Sequence, residues 1–172
     1  MSGTANIVLV GFMGSGKSTA GKNVARLLGR RFIDVDEQIE MREGCSIPEI
    51  FSRKGETFFR DLEREIIRFY ASQSGLVIAC GGGAVKDPQN VERLRAHGVV
   101  YCLTATPETV LARVGRCTHR PLLAGPDREE RLRALLVERK PLYDQFEYQV
   151  STDAREPEDV AREISAHFAT LG

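Results

Sequence analysis

The stretch Gly11-Phe12-Met13-Gly14-Ser15-Gly16-Lys17-Ser18 constrains this chain more than any other, because it fits G-x-x-x-x-G-K-[ST], the phosphate-binding loop pattern. The run Ile7-Val8-Leu9-Val10 before it is typical of a buried strand, and residues 18–28 after it predict a helix. Strand, glycine loop and helix together aim backbone N–H groups and a helix N-terminus at one point, where an anion is stabilised. The chain is therefore predicted to bind phosphate.

Two side chains carry the chemistry of such a loop. Lys17 is expected to reach the β- and γ-phosphates, and the Ser18 hydroxyl to be a ligand of Mg²⁺. The alternative is a glycine-rich turn that fits the pattern by chance. The strand before the loop and the helix after it favour the phosphate interpretation.

Short apolar runs alternate with longer amphipathic segments along the rest of the chain, and this pattern predicts the fold. Strands are expected near residues 7–10, 31–36, 76–80, 99–103 and 148–151, with helices between them and a helix after the last. The alternation predicts an α/β fold with a five-stranded parallel sheet flanked by helices on both faces. Ligands in such a fold gather at the carboxyl ends of the strands. With no internal repeat or linker, residues 1–172 are expected to form a single domain.

The charge balance and the cysteine pattern argue against several classes of protein. The 24 Lys and Arg residues equal the 24 Asp and Glu residues, so no global field attracts nucleic acid or an anionic membrane. No stretch is long and apolar enough for a membrane span, and no secretory signal is apparent. The four cysteines form no C-x-x-C pair, which predicts reduced thiols in a cytoplasmic protein and makes a zinc site unfavoured.

Asp34 and Asp36 form a second group of candidate residues. They lie two apart at the end of a predicted strand, so they are expected to point to the same face, near the phosphate loop. One carboxylate can then support Mg²⁺, and the other can accept a proton from an acceptor hydroxyl. The alternative is an Asp pair that caps the following helix and stays solvated.

Three arginines form a third group. Arg60 lies three residues before Glu63, so one helical turn brings the two together. Arg120 precedes Pro121-Leu122-Leu123 in an aperiodic loop, and Arg139 lies where a predicted helix meets Pro141. Guanidinium groups bind carboxylates and phosphates through two parallel hydrogen bonds. Taken singly, each arginine is better explained by surface or structural charge, and spacing alone does not single them out.

These motifs together resemble the shikimate kinase family, from Ile7 to about Val160. The phosphate loop is shared by a vast superfamily and says little about the substrate. The other motifs are specific in combination: Phe32-Ile33-Asp34-Val35-Asp36, Phe59-Arg60-Asp61-Leu62-Glu63, Gly81-Gly82-Gly83, Arg120-Pro121-Leu122-Leu123 and Arg139-Lys140-Pro141-Leu142-Tyr143. The resemblance implies a three-layer P-loop kinase fold that transfers phosphate from ATP to the 3-hydroxyl of shikimate, in chorismate and aromatic amino-acid biosynthesis.

The resemblance also assigns roles to residues. It implies that Lys17, Asp36 and Arg120 are catalytic, with Asp36 as the base or orienting group for the 3-hydroxyl. Shikimate is expected to be bound by Asp36, Arg60, Gly81, Gly82, Gly83 and Arg139, with Glu63 steadying Arg60. ATP is expected to contact Gly14, Ser15, Gly16, Lys17, Ser18, Thr19, Arg113, Arg120 and Arg155, with Mg²⁺ on Ser18 and, through water, Asp34.

Two larger regions and the state of assembly follow from the same resemblance. Residues of about 35–62 are expected to form a helical substrate-binding region, and residues of about 115–125 a mobile lid that carries Arg120. Arg113 and Arg155 are expected at the adenine pocket. A monomer is implied, with a small molecule as its partner rather than nucleic acid or a membrane.

Four alternative functions are weighed against this one. A gluconate kinase shares the loop and a similar two-Asp strand, but does not usually carry the triple glycine or the Phe-Arg-x-x-Glu element. A nucleoside monophosphate kinase calls for more clustered arginines. A GTPase switch would show N-K-x-D and D-x-x-G, and neither string occurs. In a catalytically dead regulatory domain, Lys17, Asp36 and Arg60 would have no reason to coexist.

Overall fold

The computed structural model describes residues 4–114 and 127–172. The described residues form one five-stranded sheet and seven α-helices. In chain order these are β1 (Asn6–Gly11), α1 (Lys17–Leu28), β2 (Arg31–Asp34), α2 (Val35–Glu43), α3 (Ile47–Ala71), β3 (Leu76–Ala79), α4 (Pro88–His97), β4 (Gly98–Thr104), α5 (Pro107–Val114), α6 (Arg128–Asp144), β5 (Tyr148–Ser151) and α7 (Pro157–Thr170). A short 3-10 helix, Ala84–Lys86, follows β3.

The sheet has the strand order β2-β3-β1-β4-β5, and every neighbouring pair is parallel. β1 lies at the centre, and the chain crosses from it to the β2 edge before it returns to β4 on the other side. Such a reversal opens a crevice at the carboxyl ends of the strands. The phosphate-binding loop leaves β1 at this crevice, so the fold places the loop where ligands are expected.

Side chains of β1 alternate between two hydrophobic cores, one on each face of the sheet. Ile7 and Leu9 pack with α1 and α7, whereas Val8 and Val10 pack on the face that carries α2 to α6. Because both faces are covered, all four side chains are almost fully buried. The predicted α/β fold with helices on both faces is confirmed.

Local sequence signals explain several element boundaries. The Ser46 hydroxyl and the Glu49 carboxylate form a reciprocal capping box at the start of α3. Gly55 interrupts that helix with a φ of 83°, a conformation that costs glycine little. Asp87 caps α4, and Pro88 occupies its first turn.

Two predicted boundaries are wrong. β2 ends at Asp34, so Asp36 lies in the first turn of α2 and not on a strand. α6 continues through Pro141 to Asp144. The N–H that proline lacks would have bonded to the carbonyl of Val137, a residue that is 75% exposed, so the lost bond falls on the solvent side of the helix.

No helix in residues 4–114 and 127–172 is long and apolar enough to cross a membrane.

Candidate active site

The phosphate-binding loop turns through two glycines in the left-handed region. Gly14 has a φ of 72°, and Gly16, the N-cap of α1, has a φ of 94°. No side chain caps α1, and its first turn contains no acidic residue. The first N–H groups of a helix have no intrahelical partner, so this end is suited to an anion such as the phosphates of ATP.

Lys17 lies in the first turn of α1 and folds back over the loop. Its ammonium donates to the carbonyls of Gly11, at 2.8 Å, and Phe12, at 2.9 Å. The positive charge is thereby held at the same end of the helix as the uncapped amides. Both features attract the same ligand, a polyphosphate.

Ser18 and Asp34 are brought together as predicted. The Ser18 hydroxyl donates to Asp34 Oδ2 at 2.5 Å, while Asp34 Oδ1 accepts from the backbone N–H groups of Asp36 and Glu37. Asp34 therefore caps α2, as the alternative interpretation expected, but it is buried rather than solvated, and its second oxygen contacts the phosphate loop. Its role at Mg²⁺ stays a prediction. A hydroxyl and a carboxylate are oxygen ligands of the kind that Mg²⁺ prefers, and few protein ligands suffice when phosphates complete the shell.

Asp36 reaches the site from the first turn of α2. Its carboxylate lies so close to the end of β3 that a Cβ atom at Gly81 would stand 2.7 Å from Asp36 Oδ1. The argument from strand periodicity that placed it beside Asp34 is wrong, because the Asp34 cap begins a helix at the next residue. The predicted neighbourhood of Asp36 and the glycine triplet is nevertheless found.

The glycine triplet, Gly81 to Gly83, is required for space rather than for positive φ, since none of its three residues is in the left-handed region. A Cβ at Gly83 would lie 2.5 Å from Arg60 Nη2, and one at Gly82 would lie 3.2 Å from the backbone nitrogen of Met13. The triplet's amide N–H groups donate to no protein acceptor in the described segments. They remain available to the hydroxyl groups of a ligand.

Arg60 is held by Glu63, three residues later on α3. Arg60 Nη1 donates to Glu63 Oε1 at 2.7 Å, and Glu63 is only 1% exposed. Burial raises the pKa of Glu63 to about 7; Arg60 opposes that shift, and the carboxylates of Asp36 and Asp87 add to it. Glu63 Oε2 is buried without a hydrogen-bond partner in the described residues. The predicted i, i+3 pair is confirmed.

A cavity of about 590 Å³ opens beside Arg60 and Gly83 and extends towards the start of α4. Its lining includes neither Lys17 nor Asp36. The cavity therefore does not contain the candidate catalytic groups. It lies beside the end of β3, where Asp36 and Arg60 meet the glycine triplet.

Arg139 is buried on α6, with 8% of its surface exposed. Its guanidinium lies over the Phe12 ring, 5.7 Å from the ring centroid, which places it next to the phosphate loop. Arg139 forms no ion pair with a carboxylate of residues 4–114 or 127–172, and its Nε has no hydrogen-bond partner there. Buried charges are normally paired, so this guanidinium is suited to an anionic ligand.

The comparisons with known proteins identify the family. A family model described as shikimate kinase matches residues 13–169. The chain belongs to the shikimate kinase family.

Relatives and solved structures support this membership over nearly the whole chain. A shikimate kinase of Thermodesulfovibrio yellowstonii is 45% identical over 166 residues, 96% of each chain. One of Geobacter sulfurreducens is 48% identical over 160 residues, 93% of this chain and 88% of the relative. The structure of shikimate kinase from Acinetobacter baumannii in complex with shikimate has a TM-score of 0.92 at 40% identity, and covers 97% of this chain and 94% of that one.

A gluconokinase from Sinorhizobium meliloti is also similar, with a TM-score of 0.63 at 23% identity over 97% of this chain and 93% of that one. At that identity the likeness shows the fold alone.

The predictions of the shikimate kinase family, of ATP with Mg²⁺ as its cofactors and of an ATP-dependent phosphotransferase are confirmed.

In this shikimate kinase family member, Arg113 joins the phosphate loop to the end of β5. Its guanidinium donates to the carbonyl of Gly14 at 3.1 Å, and to the hydroxyl and the carbonyl of Thr152, each at 2.9 Å. Arg155 pairs with Glu163 of α7 at 2.7 Å. The roles of Arg113 and Arg155 at the adenine pocket stay predictions. Arg120 and the predicted lid, residues 115–125, lie outside the described residues.

Two residues of this shikimate kinase site were missed by sequence reasoning. The Thr152 hydroxyl donates to the carbonyl of Ser15 at 3.0 Å, a contact for which a lone threonine after a strand gives no signal. The Tyr143 hydroxyl donates to the carbonyl of Gly82 at 2.5 Å. Tyr143 follows Arg139 by four residues, so helical spacing would have placed both side chains on one face.

Proposed function

We propose that this chain transfers the γ-phosphoryl group of ATP to the 3-hydroxyl of shikimate, through the residues described above. The observation that carries the assignment of the acceptor is Arg139, a buried guanidinium without an ion pair in the described residues, beside the phosphate loop. An acceptor that bears a carboxylate would neutralise it. A neutral alcohol would leave the buried charge uncompensated.

The proposed acceptor site binds shikimate through two arginines on one side and through hydrogen-bonding groups for the ring hydroxyls on the other. Arg60, fixed by Glu63, and Arg139 bind the carboxylate of shikimate. The free amides of the glycine triplet and the carboxylate of Asp36 meet the ring hydroxyls. These groups come from α2, α3, the end of β3 and α6, so they fix the position and the orientation of the ring together.

In the proposed reaction the oxygen of the 3-hydroxyl bonds to the γ-phosphorus as the bond from that phosphorus to the bridging oxygen of ADP breaks. The hydroxyl proton passes to Asp36. Lys17 and the amides at the start of α1 stabilise the negative charge of the phosphates during transfer. Ser18 and Asp34 would hold Mg²⁺, which when bound neutralises charge on the β- and γ-phosphates.

An acceptor panel tests this function. ADP release is measured with shikimate, gluconate and nucleoside monophosphates, each against a reaction without acceptor, and the product is identified by phosphorus NMR. We expect release that depends on shikimate and a single product phosphorylated at its 3-hydroxyl. Faster release with gluconate or with a nucleoside monophosphate would overturn the proposal.

The cellular site and the state of assembly are also proposals. We infer a monomer, because the groups proposed to bind shikimate come from α2, α3, the end of β3 and α6 of one chain. We infer the cytoplasm from the described cysteines, Cys45, Cys80 and Cys102, which are free thiols. Size-exclusion chromatography with light scattering, with and without both substrates, tests the monomer directly.

A further inference from the structure

Tyr143 forms the only recorded side-chain contact to a carbonyl of the glycine triplet within the described residues. It is 8% exposed, on α6, one helical turn after Arg139. Its hydroxyl donates to the carbonyl of Gly82. Burial raises the pKa of that hydroxyl to about 12, although the guanidinium of Arg139, which also interacts with it, opposes the shift; the hydroxyl therefore keeps its proton and remains a donor at neutral pH.

The three carbonyls of the triplet are held in different ways. The carbonyl of Gly81 accepts from the backbone of Ala84 at 3.0 Å, and that of Gly83 accepts from the backbone of Lys86 at 3.1 Å. Local turns thus fix these two, whereas the carbonyl of Gly82 depends on a side chain 61 residues away. Loss of the Tyr143 hydroxyl would leave the carbonyl of Gly82 without its hydrogen bond, whereas the carbonyls of Gly81 and Gly83 would keep theirs.

That peptide unit also carries an amide predicted to meet the substrate. A trans peptide is planar, and its C=O and N–H groups point in opposite directions. The carbonyl of Gly82 and the N–H of Gly83 belong to the same unit, so the Tyr143 contact also sets the direction of the Gly83 N–H. That N–H donates to no protein acceptor in the described segments.

We propose that Tyr143 is a positioning residue for the acceptor, acting through the amide of Gly83 and through the helix that carries Arg139. This rests on the proposed function. By joining α6 to the triplet, the hydroxyl fixes the distance between the guanidinium that binds the carboxylate and the amide that binds a ring hydroxyl. The two recognition points then fit one rigid ring.

The test compares Tyr143→Phe with Tyr101→Phe, a matched control. Tyr101 is also buried, and its hydroxyl makes one recorded hydrogen bond, to His167 at 2.9 Å, but on the face of the sheet covered by α1 and α7. Both substitutions remove one buried phenolic oxygen. For Tyr143→Phe we expect the KM for shikimate to rise about five- to tenfold, as one hydrogen bond would give, with the KM for ATP unchanged.

Analogues of shikimate that lack one of the two non-reacting ring hydroxyls give the second measurement. The effect of Tyr143→Phe should shrink for the analogue that lacks the hydroxyl bound by the Gly83 amide, and persist for the other. An unchanged KM for shikimate, an equal rise in both KM values, or the same penalty for every acceptor would overturn the proposal. A wild-type protein that does not phosphorylate shikimate would instead overturn the proposed function.

Discussion

Replacement of Arg139 by methionine should weaken the binding of the acceptor and leave the binding of ATP and the stability of the fold nearly unchanged. Methionine keeps much of the length and apolar surface of the side chain while it removes the charge. The KM for shikimate should rise strongly, and the KM for ATP should stay within about twofold, because the groups that we expect to bind the phosphates, Lys17 and the uncapped amides of α1, are unchanged.

The magnitude follows from the burial of Arg139 and the state of Arg60. Removal of one partner of a buried, hydrogen-bonded charge pair costs about 2–5 kcal/mol, or about 30- to 4000-fold in kcat/KM. Arg60 would still face the substrate carboxylate, but it is already paired with Glu63, and a quarter of its side chain is exposed. Partial compensation places the expected loss near the lower end, at about 100-fold.

Stability distinguishes this role from a structural one. Arg139 forms no ion pair in the described residues, so its removal leaves no protein carboxylate unpaired, and the melting temperature should stay level or rise. Lys140→Met is the control, because it removes an exposed charge one residue away that pairs only with Asp144 among the described acidic residues. Steady-state kinetics with each substrate varied, together with thermal unfolding, measure all of these quantities. A threefold or smaller change in the KM for shikimate, or an equal rise for ATP, would refute the reasoning.

Three further substitutions test other parts of the site. Asp36→Asn should lower kcat about 100- to 10,000-fold and leave ATP binding intact, and weaker ATP binding by calorimetry would place Asp36 at the metal instead. Gly83→Ala would bring a Cβ to 2.5 Å from Arg60 Nη2; that flexible guanidinium should move, so the KM for shikimate should rise with little change in melting temperature, and a lower kcat alone would argue against this. Burial raises the pKa of Glu63 from 4.5 to about 7, so the folded state retains a proton that the unfolded chain releases, and the free energy of unfolding should fall as the pH rises from about 4.5 to 7. Glu63→Gln should remove this decrease in the free energy of unfolding, which urea titrations at about pH 5 and about pH 8 would measure for both proteins. An equal pH dependence in the two proteins would contradict the reasoning.

The alternation of apolar and amphipathic segments predicted the fold, and local signals in the sequence account for several of its element boundaries. The capping box at Ser46, the break at Gly55 and the proline after Asp87 each concern neighbouring residues, so the sequence contains all that is needed to interpret them. Asp34 was harder. An Asp after an apolar run fits both a continuing strand and a helix cap, and only the packed structure shows that its carboxylate caps α2 and meets Ser18.

The long-range parts of the site could not be derived from spacing. Nothing near Gly81 or Gly83 indicates that Asp36 and Arg60 will press against them, because these contacts join segments that lie far apart in the chain. Likewise, the burial of Arg139 depends on how α6 packs beside Phe12. Asp36 was a candidate from its place after a predicted strand, but only the resemblance to a family selected Arg60, Arg139 and the glycine triplet. The structure supplies the physical reason for their proximity.

On the proposed function, the same charge that selects the acceptor also limits wasteful hydrolysis of ATP. Water can enter any site that admits a sugar-like acid, and it competes as an acceptor. Water cannot neutralise the buried guanidinium of Arg139. Nor can it contact that guanidinium and the amides of the glycine triplet together, as a ring with a carboxylate and hydroxyl groups can. During transfer to water, the charge of Arg139 would therefore stay uncompensated, and no ligand would bind Arg139 and the amides of the triplet at the same time. The energetic advantage of shikimate then lies in completing an electrostatic pair that the protein alone leaves open, so loss of Arg139 should narrow the gap between shikimate-dependent and background release of ADP.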